Sequence, residues 1–421
     1  MAVVENIYNI IVMEIQTQSG NRYSYNRQTG EILAGSLDGQ LPSWEFAPLV
    51  PIVSMPDVDS FILGLTEQCN LRCTYCCYSG MYLNKRSHSA NSMSKAGIDK
   101  VFSFIEGFTE KRPIRIYLYG GEPLLDYPLV QYTVNRGREL WGEDVLFTIS
   151  TNGTTLSTDR IDWLVAQNVS LSLSIDGTEP YHNRYRVDVK GEGSYAKVYE
   201  ALSYIKTSYP GYLKNVSLIM TLASFDKVVE IAEAWHNDSV LGVLTPTMIN
   251  SLAPNFKKGV DKVEYEKVKS CYDRLLAIYE KHRDWLVLEK LLESCIAYWK
   301  ERPIFTPAEP VPMATCLPHN TKLYIDSNLQ IGVCEKIADN YRIGDVKSGI
   351  DWTKVNNVVR KYYDKRLHRC KDCSAVRMCN MCLTAVEHTD EQWDVLCHNE
   401  QIHIRAFLYL FCEMTERGLV K

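Results

Sequence analysis

Between Ser60 and Asn250 short β-rich runs alternate strictly with helical stretches, and beyond Glu301 cysteines crowd the chain. Together these predict an α/β fold, with a parallel sheet crossed by helices followed by a smaller cysteine-rich region. A length of 421 residues suits such a pair of units, because no single small core absorbs that much chain. With 46% hydrophobic and 23% charged residues the composition is that of a globular protein, which excludes disorder and collagen-like structure.

The six β-rich runs are Phe61 to Thr66, Ile114 to Gly120, Val145 to Thr151, Val169 to Ile175, Val216 to Leu222 and Val243 to Ile249. Helical stretches beginning near Ser92, Ser157, Gly193 and Phe225 carry apolar residues at helical spacing, with Ser, Asp or Gly near their starts. Strict alternation implies right-handed crossovers, in either an open doubly wound sheet or an incomplete barrel. Both arrangements place ligands at the carboxyl ends of the strands.

Ahead of the first strand, Arg22 to Leu33 reads as a hairpin around a turn ending in Gly30. It is either a packed terminal ribbon or an edge that docks a peptide by strand addition. A long helical region runs from about Val260 to Lys300, and the Pro-rich segment Glu301 to Cys316 reads as a linker. The expected divisions are an extension over 1–59, the strand–helix unit over 60–250, a helical bridge and linker over 251–315, the cysteine-rich region over 316–400, and a C-terminal helix over 401–421.

Segment Met1 to Gln16 carries Glu5 and Glu14 and has neither a basic start nor a long apolar run, so neither a signal peptide nor a membrane span is expected. That places the chain in the cytoplasm, where thiols stay reduced and 14 cysteines point to metal or cluster ligation. A net charge of −5 leaves no footprint for nucleic acid or an anionic membrane, and neither is expected as a partner.

After the first strand comes TEQCNLRCTYCCYSG, which spaces Cys69, Cys73 and Cys76 as C-x3-C-x2-C. Three thiolates on one loop can hold three irons of a cubane and leave the fourth open to a chelating small molecule. Zinc prefers four ligands in paired C-x2-C units. Cys77 falls outside the spacing and reads as a spectator.

This loop resembles the signature of the radical S-adenosylmethionine (SAM) superfamily. The resemblance implies a [4Fe-4S] cluster on the three cysteines, SAM on the open iron, and a partial (β/α)6 barrel, which favours the barrel over the open sheet. It also places Tyr75 near the adenine. YGGEP closes the second strand: Gly120 and Gly121 permit close approach to the backbone, Glu122 offers an acceptor, and Pro123 follows. It resembles the superfamily's motif for the SAM ammonium group. Ser174 and Arg186 match positions that hold the SAM carboxylate in peptide-modifying relatives, with Arg184 an alternative anchor. Asn152 and Asp176 either reach the ribose or substrate or shape turns.

The C-terminal part carries Cys316, Cys334, Cys370, Cys373, Cys379, Cys382 and Cys397. The gap in C-x2-C-x5-C-x2-C is too short for a zinc ribbon. The pattern resembles the SPASM domain of peptide maturases, which implies one or two auxiliary [4Fe-4S] clusters. Carried over, Cys370, Cys373, Cys379 and Cys397 bind one, and Cys316, Cys334 and Cys382 the other. The chain departs from the family in its last spacing, in Leu329 where a turn glycine is usual, and in having no extra cysteine between Cys316 and Cys334. Seven ligands stand where two full clusters need eight, so the second has an open iron or takes a ligand such as His319 or Glu335. Cys271, Cys295 and Cys412 lie in helical stretches and read as core residues.

The resemblance implies an oxidoreductase in which a one-electron donor such as flavodoxin or ferredoxin reduces the first cluster, and SAM cleavage starts hydrogen abstraction. Tyr75 to Ser89 is most similar to maturases of ribosomally made peptides of the darobactin and cyclophane-forming kinds. Oxidative cross-linking, by C–C or ether bonds, of a precursor peptide carrying a leader is therefore the expectation. Thioether formation, epimerisation and formylglycine generation are the rival reactions. A multi-cluster electron-transfer protein explains the cysteines but not YGGEP, Ser174 or Arg186, and a zinc-dependent nucleic-acid binder is expected to be basic. About 60 residues before the barrel leave no room for a winged-helix leader-binding domain, so the hairpin, the barrel rim or another protein is expected to read the leader.

Overall fold

The computed structural model describes residues 12–37, 41–83, 85–223, 225–252, 259–302, 304, 316–318 and 321–420. Most of the expected linker, and His319, lie outside them. The described residues open with an antiparallel ribbon of β1 (Met13–Gln16), β2 (Arg22–Tyr25) and β3 (Ile32–Ala34), so the expected hairpin gains a third strand. Then follow β4 (Ser60–Thr66), α1 (Lys95–Phe108), β5 (Ile114–Gly120), α2 (Tyr127–Trp141), β6 (Val145–Thr151), α3 (Thr158–Ala166) and β7 (Ser170–Ser174). Next come α4 (Glu179–Tyr185), α5 (Tyr195–Ser208), β8 (Val216–Leu222), α6 (Val228–Asn237) and β9 (Met248–Ser251). Helices α7 (Tyr265–Tyr279) and α8 (Leu286–Lys300) lead to β10 (Lys322–Ile325), β11 (Gln330–Gly332), β12 (Arg342–Asp345) and β13 (Gly349–Ile350), then α9 (Trp352–Arg369) and α10 (Asp390–Glu416).

Strands β4 to β9 are parallel and pair in chain order. A doubly wound sheet reverses its order at a switch point, and this one does not, so the six units curve one way as a partial barrel. The barrel stays open because β10 takes the outer edge of β4 in parallel register, Lys322 opposite Ser60 through Ile325 opposite Leu63. The cysteine-rich region thus continues the same sheet through β11, β12 and β13.

Local sequence explains the elements. On β5 Ile114, Ile116 and Leu118 are buried and on β6 Val145, Phe147 and Ile149, each alternating with less buried residues. Ser94 caps α1 by accepting from Gly97 N at 3.0 Å. Thr389 and Gln392 form a capping box at the start of α10.

The sixth strand begins at Met248 rather than Val243, because Leu241–Val243 is a tight turn and Pro246 has no N–H for a ladder. The expected 260–300 helix is two helices, separated by a turn in which His282 stacks on Trp285 at 4.3 Å. The boundary expected at 400 falls inside α10.

The main core fills the space between the sheet and its helices. A second core joins Met13, Ile15 and Tyr25 of the ribbon to Trp299, Trp393 and Tyr409, with Met378 and Cys379 inside it.

Candidate functional site

The loop carrying Cys69, Cys73 and Cys76 leaves the carboxyl end of β4, and the end of β5 is pressed against its base. Gly121 N donates to Thr66 O and Glu122 N to Gln68 O, both at 2.8 Å. A side chain at Gly120, where φ is 140°, would place its Cβ 2.0 Å from Thr66 O, and one at Gly121 would place it 2.1 Å from Gln68 O. These glycines permit backbone-to-backbone packing under the loop.

Glu122 is fully buried, and its carboxylate accepts from Leu124 N at 3.0 Å, Thr151 Oγ1 at 2.9 Å and Asn152 N at 2.7 Å. Burial pushes its carboxyl up to about 7, against those three bonds. It braces the ends of β5 and β6 rather than presenting an open carboxylate, and Pro123 starts the buried turn behind it. Asn152 joins this brace to the loop: its Nδ2 donates to Asn70 Oδ1 at 3.0 Å and lies 3.9 Å from Cys69 Sγ.

The three thiols are each half-buried, and Cys69 feels both Cys73 and Cys76, while Cys73 feels Cys76, electrostatically. Burial pushes Cys69 up to about 12 and Cys73 up to about 11, Arg186 pulling the latter down. A thiol so held keeps its proton until a metal displaces it. Donors are already aimed at the sulfurs: Leu71 N at 3.4 Å from Cys69 Sγ, Tyr78 N at 3.3 Å from Cys76 Sγ, and His88 Nε2 at 3.9 Å from Cys76 Sγ. Half-buried thiols with N–H donors fit an anionic thiolate-bound cluster. A cavity of about 360 Å³ opens beside Cys73, Cys76 and His88.

Asp176 is the hub behind the loop. It is fully buried, accepts from Arg186 Nε and from Thr221 N, each at 2.8 Å, and also from the hydroxyl of Tyr75. The Arg186 guanidinium lies over the Tyr75 ring, 5.4 Å from its centroid. With its oxygens accepting from these protein donors, Asp176 positions Tyr75 and Arg186.

His182 holds the hub's backbone. Its Nδ1 accepts from Asp176 N at 3.2 Å, Nε2 donates to Ser194 Oγ at 2.9 Å, and that hydroxyl donates to Arg186 O at 2.9 Å. This chain of bonds requires the neutral imidazole, and burial pulls its pKa down to about 4. Sequence reasoning missed His182, although its place just after the fourth strand was a usable signal. Ser174 ends β7, half-buried, and Arg184 lies over the Tyr185 ring at 5.6 Å.

At the second site Cys370, Cys373 and Cys379 all act electrostatically on Cys397, so the structure gathers these four residues. Cys370 and Cys379 are buried, and Trp44 covers Cys370 and Val376 in a small apolar cluster. Arg366 reaches the same site, donating to Cys379 Sγ at 3.7 Å, while its Nε is buried without a partner. A buried cation beside four thiols fits an anionic cluster. Arg366 was also missed, though it lies four residues before Cys370 at the end of α9, hence on the same helix face.

Cys316 and Cys334 both act on Lys322, whereas Cys382 acts on Tyr341 and lies 3.3 Å from Thr384 Oγ1. Glu335 is buried and accepts from Cys334 Sγ at 3.3 Å, with Lys322 Nζ at 3.6 Å. Cys77 lies within electrostatic reach of Lys336, Lys85 and Glu335. Cys295 and Cys412 are buried in the cores, and Cys271 packs against one. Among the described residues, no three His, Cys, Asp or Glu side chains converge on a single-ion site.

A larger cavity of about 690 Å³ lies between the loop extension, the chain after β9 and the cysteine-rich region. Its walls include Tyr82, Leu252, Met381, Cys382 and Leu396. Met81 lines both this cavity and the one at the cluster loop.

A model of the radical SAM superfamily matches residues 63–234. These residues form a radical SAM domain. The cysteine-type anaerobic sulfatase-maturating enzyme of Clostridium novyi (strain NT) is 28% identical over 148 residues, 34% of this chain and 39% of that protein. A GTP 3',8-cyclase of Tolumonas auensis is 32% identical over 142 residues, 33% of this chain and 38% of that one. The match thus spans under half the length of these curated relatives.

Among solved structures, anSMEcpe with bound AdoMet aligns at TM-score 0.63 and 15% identity, covering 85% of this chain and 99% of that one. Streptococcus suis SuiB bound to precursor peptide SuiA aligns at TM-score 0.50 and 13% identity, covering 79% and 74%. At such identities the likeness is one of fold, and it extends past the radical SAM domain into the cysteine-rich region. Radical SAM domains use a [4Fe-4S] cluster and SAM. Among the described residues no helix is long and apolar enough to cross a membrane.

Proposed function

We propose that this chain is a cytoplasmic radical SAM maturase that cross-links side chains of a ribosomally made precursor peptide. The observation that carries the reading is the meeting of two cavities at Met81, one beside Cys73 and Cys76, the other larger and walled by Leu252, Met381 and Leu396. A space of about 690 Å³ whose walls mix apolar residues with polar ones such as Asn380, His388 and Glu400 suits a few residues of an extended peptide. When bound, the cluster and SAM supply a hydrogen-abstracting 5′-deoxyadenosyl radical.

In this reading Cys69, Cys73 and Cys76 hold that cluster. Tyr75, Gly120, Gly121, Ser174 and Arg186 line the SAM side, the guanidinium suiting the SAM carboxylate. Glu122, Asn152 and Asp176 hold that side in shape. A cross-link removes two hydrogens from the peptide. One leaves as a hydrogen atom and the other as a proton plus an electron, which a cluster held by Cys370, Cys373, Cys379 and Cys397 would be placed to accept. A flavodoxin or ferredoxin supplies the electron that starts the cycle.

The test is co-expression with candidate short peptides followed by mass measurement. A loss of two hydrogens, with fragmentation silent between the joined residues, supports cross-linking. The sulfatase-maturating relative keeps formylglycine formation as the second reading, and a product that reacts with hydrazides would establish it instead. Cys69→Ala, Cys73→Ala or Cys76→Ala abolishes 5′-deoxyadenosine formation on either reading.

A further inference from the structure

We propose that Arg366 sets the reduction potential of a cluster held by Cys370, Cys373, Cys379 and Cys397. The inference rests on those four residues holding a [4Fe-4S] cluster and is independent of the substrate. Arg366 is 1% exposed, in the last turn of α9. Its Nη1 donates to Tyr362 Oη at 3.1 Å and to Cys379 Sγ at 3.7 Å, and its Nε has no partner.

Among the described residues no carboxylate stands within ion-pair distance of Arg366. Glu400, which feels it, is half-buried, accepts from Asn380 N at 3.2 Å and has its carboxyl pushed up by desolvation. The contrast with the neighbouring buried arginines is informative. Arg27 donates to Pro42 O at 2.7 Å and Arg377 to Gln28 O at 3.1 Å, so both end on backbone carbonyls, while Arg366 ends on a cysteine sulfur.

A buried cation without a carboxylate is costly unless an anion shares its cavity. Four thiolates outweigh the positive charge of the iron–sulfur core, so the filled site is that anion. Taking up one electron, [4Fe-4S]²⁺ to [4Fe-4S]⁺, adds one negative charge beside the guanidinium. Arg366 therefore favours the reduced cluster and makes it a better acceptor of the electron left on a substrate. A unit charge about 6 Å away at an effective dielectric near 20 changes electron affinity about tenfold to a hundredfold, or about 60–120 mV at ~59 mV per tenfold.

Wild-type, Arg366→Gln and Arg366→Lys chains are reconstituted anaerobically, assayed for iron and titrated potentiometrically under EPR. The signal missing from Cys370→Ala identifies the cluster concerned. Arg366→Gln is expected to move that midpoint negative by the stated amount, with Arg366→Lys staying close to wild type. Equal midpoints at equal iron content overturn the proposal. If the Gln chain loses the cluster while the Lys chain keeps both cluster and midpoint, charge is the cause and the proposal stands. If the Lys chain loses it too, Arg366 is a packing residue and the proposal falls. If Cys370→Ala loses neither iron nor signal, the premise of a cluster fails, whatever the peptide assay shows.

Discussion

At the scale of single residues, Asp176 tolerates complete burial because a guanidinium, a phenol and a backbone amide all donate to it. His182 is the residue that fixes this hub, and it must stay neutral to do so. Its pKa falls from 6.5 unfolded to about 4 folded, so the unfolded chain binds the proton more tightly between those values. Stability from His182 is therefore complete above pH 6.5 and lost as pH falls through 4, up to about 3 kcal/mol. Thermal midpoints of metal-free wild type and His182→Gln check this. The wild-type advantage should shrink from pH 7 to pH 4, and a gap that ignores pH refutes it.

Gly121→Ala makes a second prediction at this scale, since its new Cβ meets Gln68 O at 2.1 Å. The base of the loop must shift, so iron bound by Cys69, Cys73 and Cys76 should fall while the chain stays folded. Undiminished iron per chain would contradict it. The proximity of Cys69, Cys73 and Cys76, and of Cys370, Cys373 and Cys379, was legible because spacing on a short segment nearly dictates it, whereas Cys397 was reached only through the family resemblance. The hub was not legible, because Tyr75, Asp176, His182 and Arg186 converge only once the folded barrel brings the loop after β4 to the end of β7 and to α4.

Among the elements, α2 comes close enough to β6 that a Cβ on Gly137 would lie 2.5 Å from Phe147 Cζ. Alanine improves helix propensity by about 1 kcal/mol, yet overpacking costs about 1–3 kcal/mol. Gly137→Ala should therefore be neutral to destabilising by about 2 kcal/mol, read as a lower denaturant midpoint, and a rise in that midpoint would show that α2 yields freely. Leu329 illustrates the opposite trade. It stands in the left-handed region at φ 62°, where the family resemblance expects glycine, and its side chain packs toward Gly97 of α1. The apolar contact offsets a backbone cost of roughly 1 kcal/mol.

Strand alternation and helix caps made most elements legible. The exceptions have local causes: Pro246 delays β9, and the His282–Trp285 turn divides a helix whose polar sequence lacks Pro or Gly as a warning.

Over the whole molecule, the ribbon and the last helix close a second core around the four-cysteine site. Glu416, at the end of α10, accepts from Thr17 Oγ1 at 3.1 Å, Ser19 Oγ at 2.8 Å, Asn21 Nδ2 at 3.0 Å and Tyr23 Oη at 2.8 Å. Glu416→Ala should loosen the ribbon without unfolding the barrel. Amide exchange over Met13–Tyr25 is expected to quicken roughly twofold to tenfold while β5 and β6 stay protected, and unchanged exchange would show that apolar packing alone holds the ribbon. The sequence allowed a packed ribbon but could not reveal this clasp, because its partners lie at opposite ends of the chain.

The pairing of β10 with β4 bears on synthesis as well as on the finished fold. The ribosome releases β4 long before it makes β10, and at ~5–20 residues per second the intervening chain takes on the order of tens of seconds. Throughout that time the outer edge of β4, the strand that leads into the cluster loop, offers unpaired backbone groups to any other nascent chain. Slowed elongation, or a chain stopped short of Ile325, should therefore yield aggregates rather than a soluble barrel.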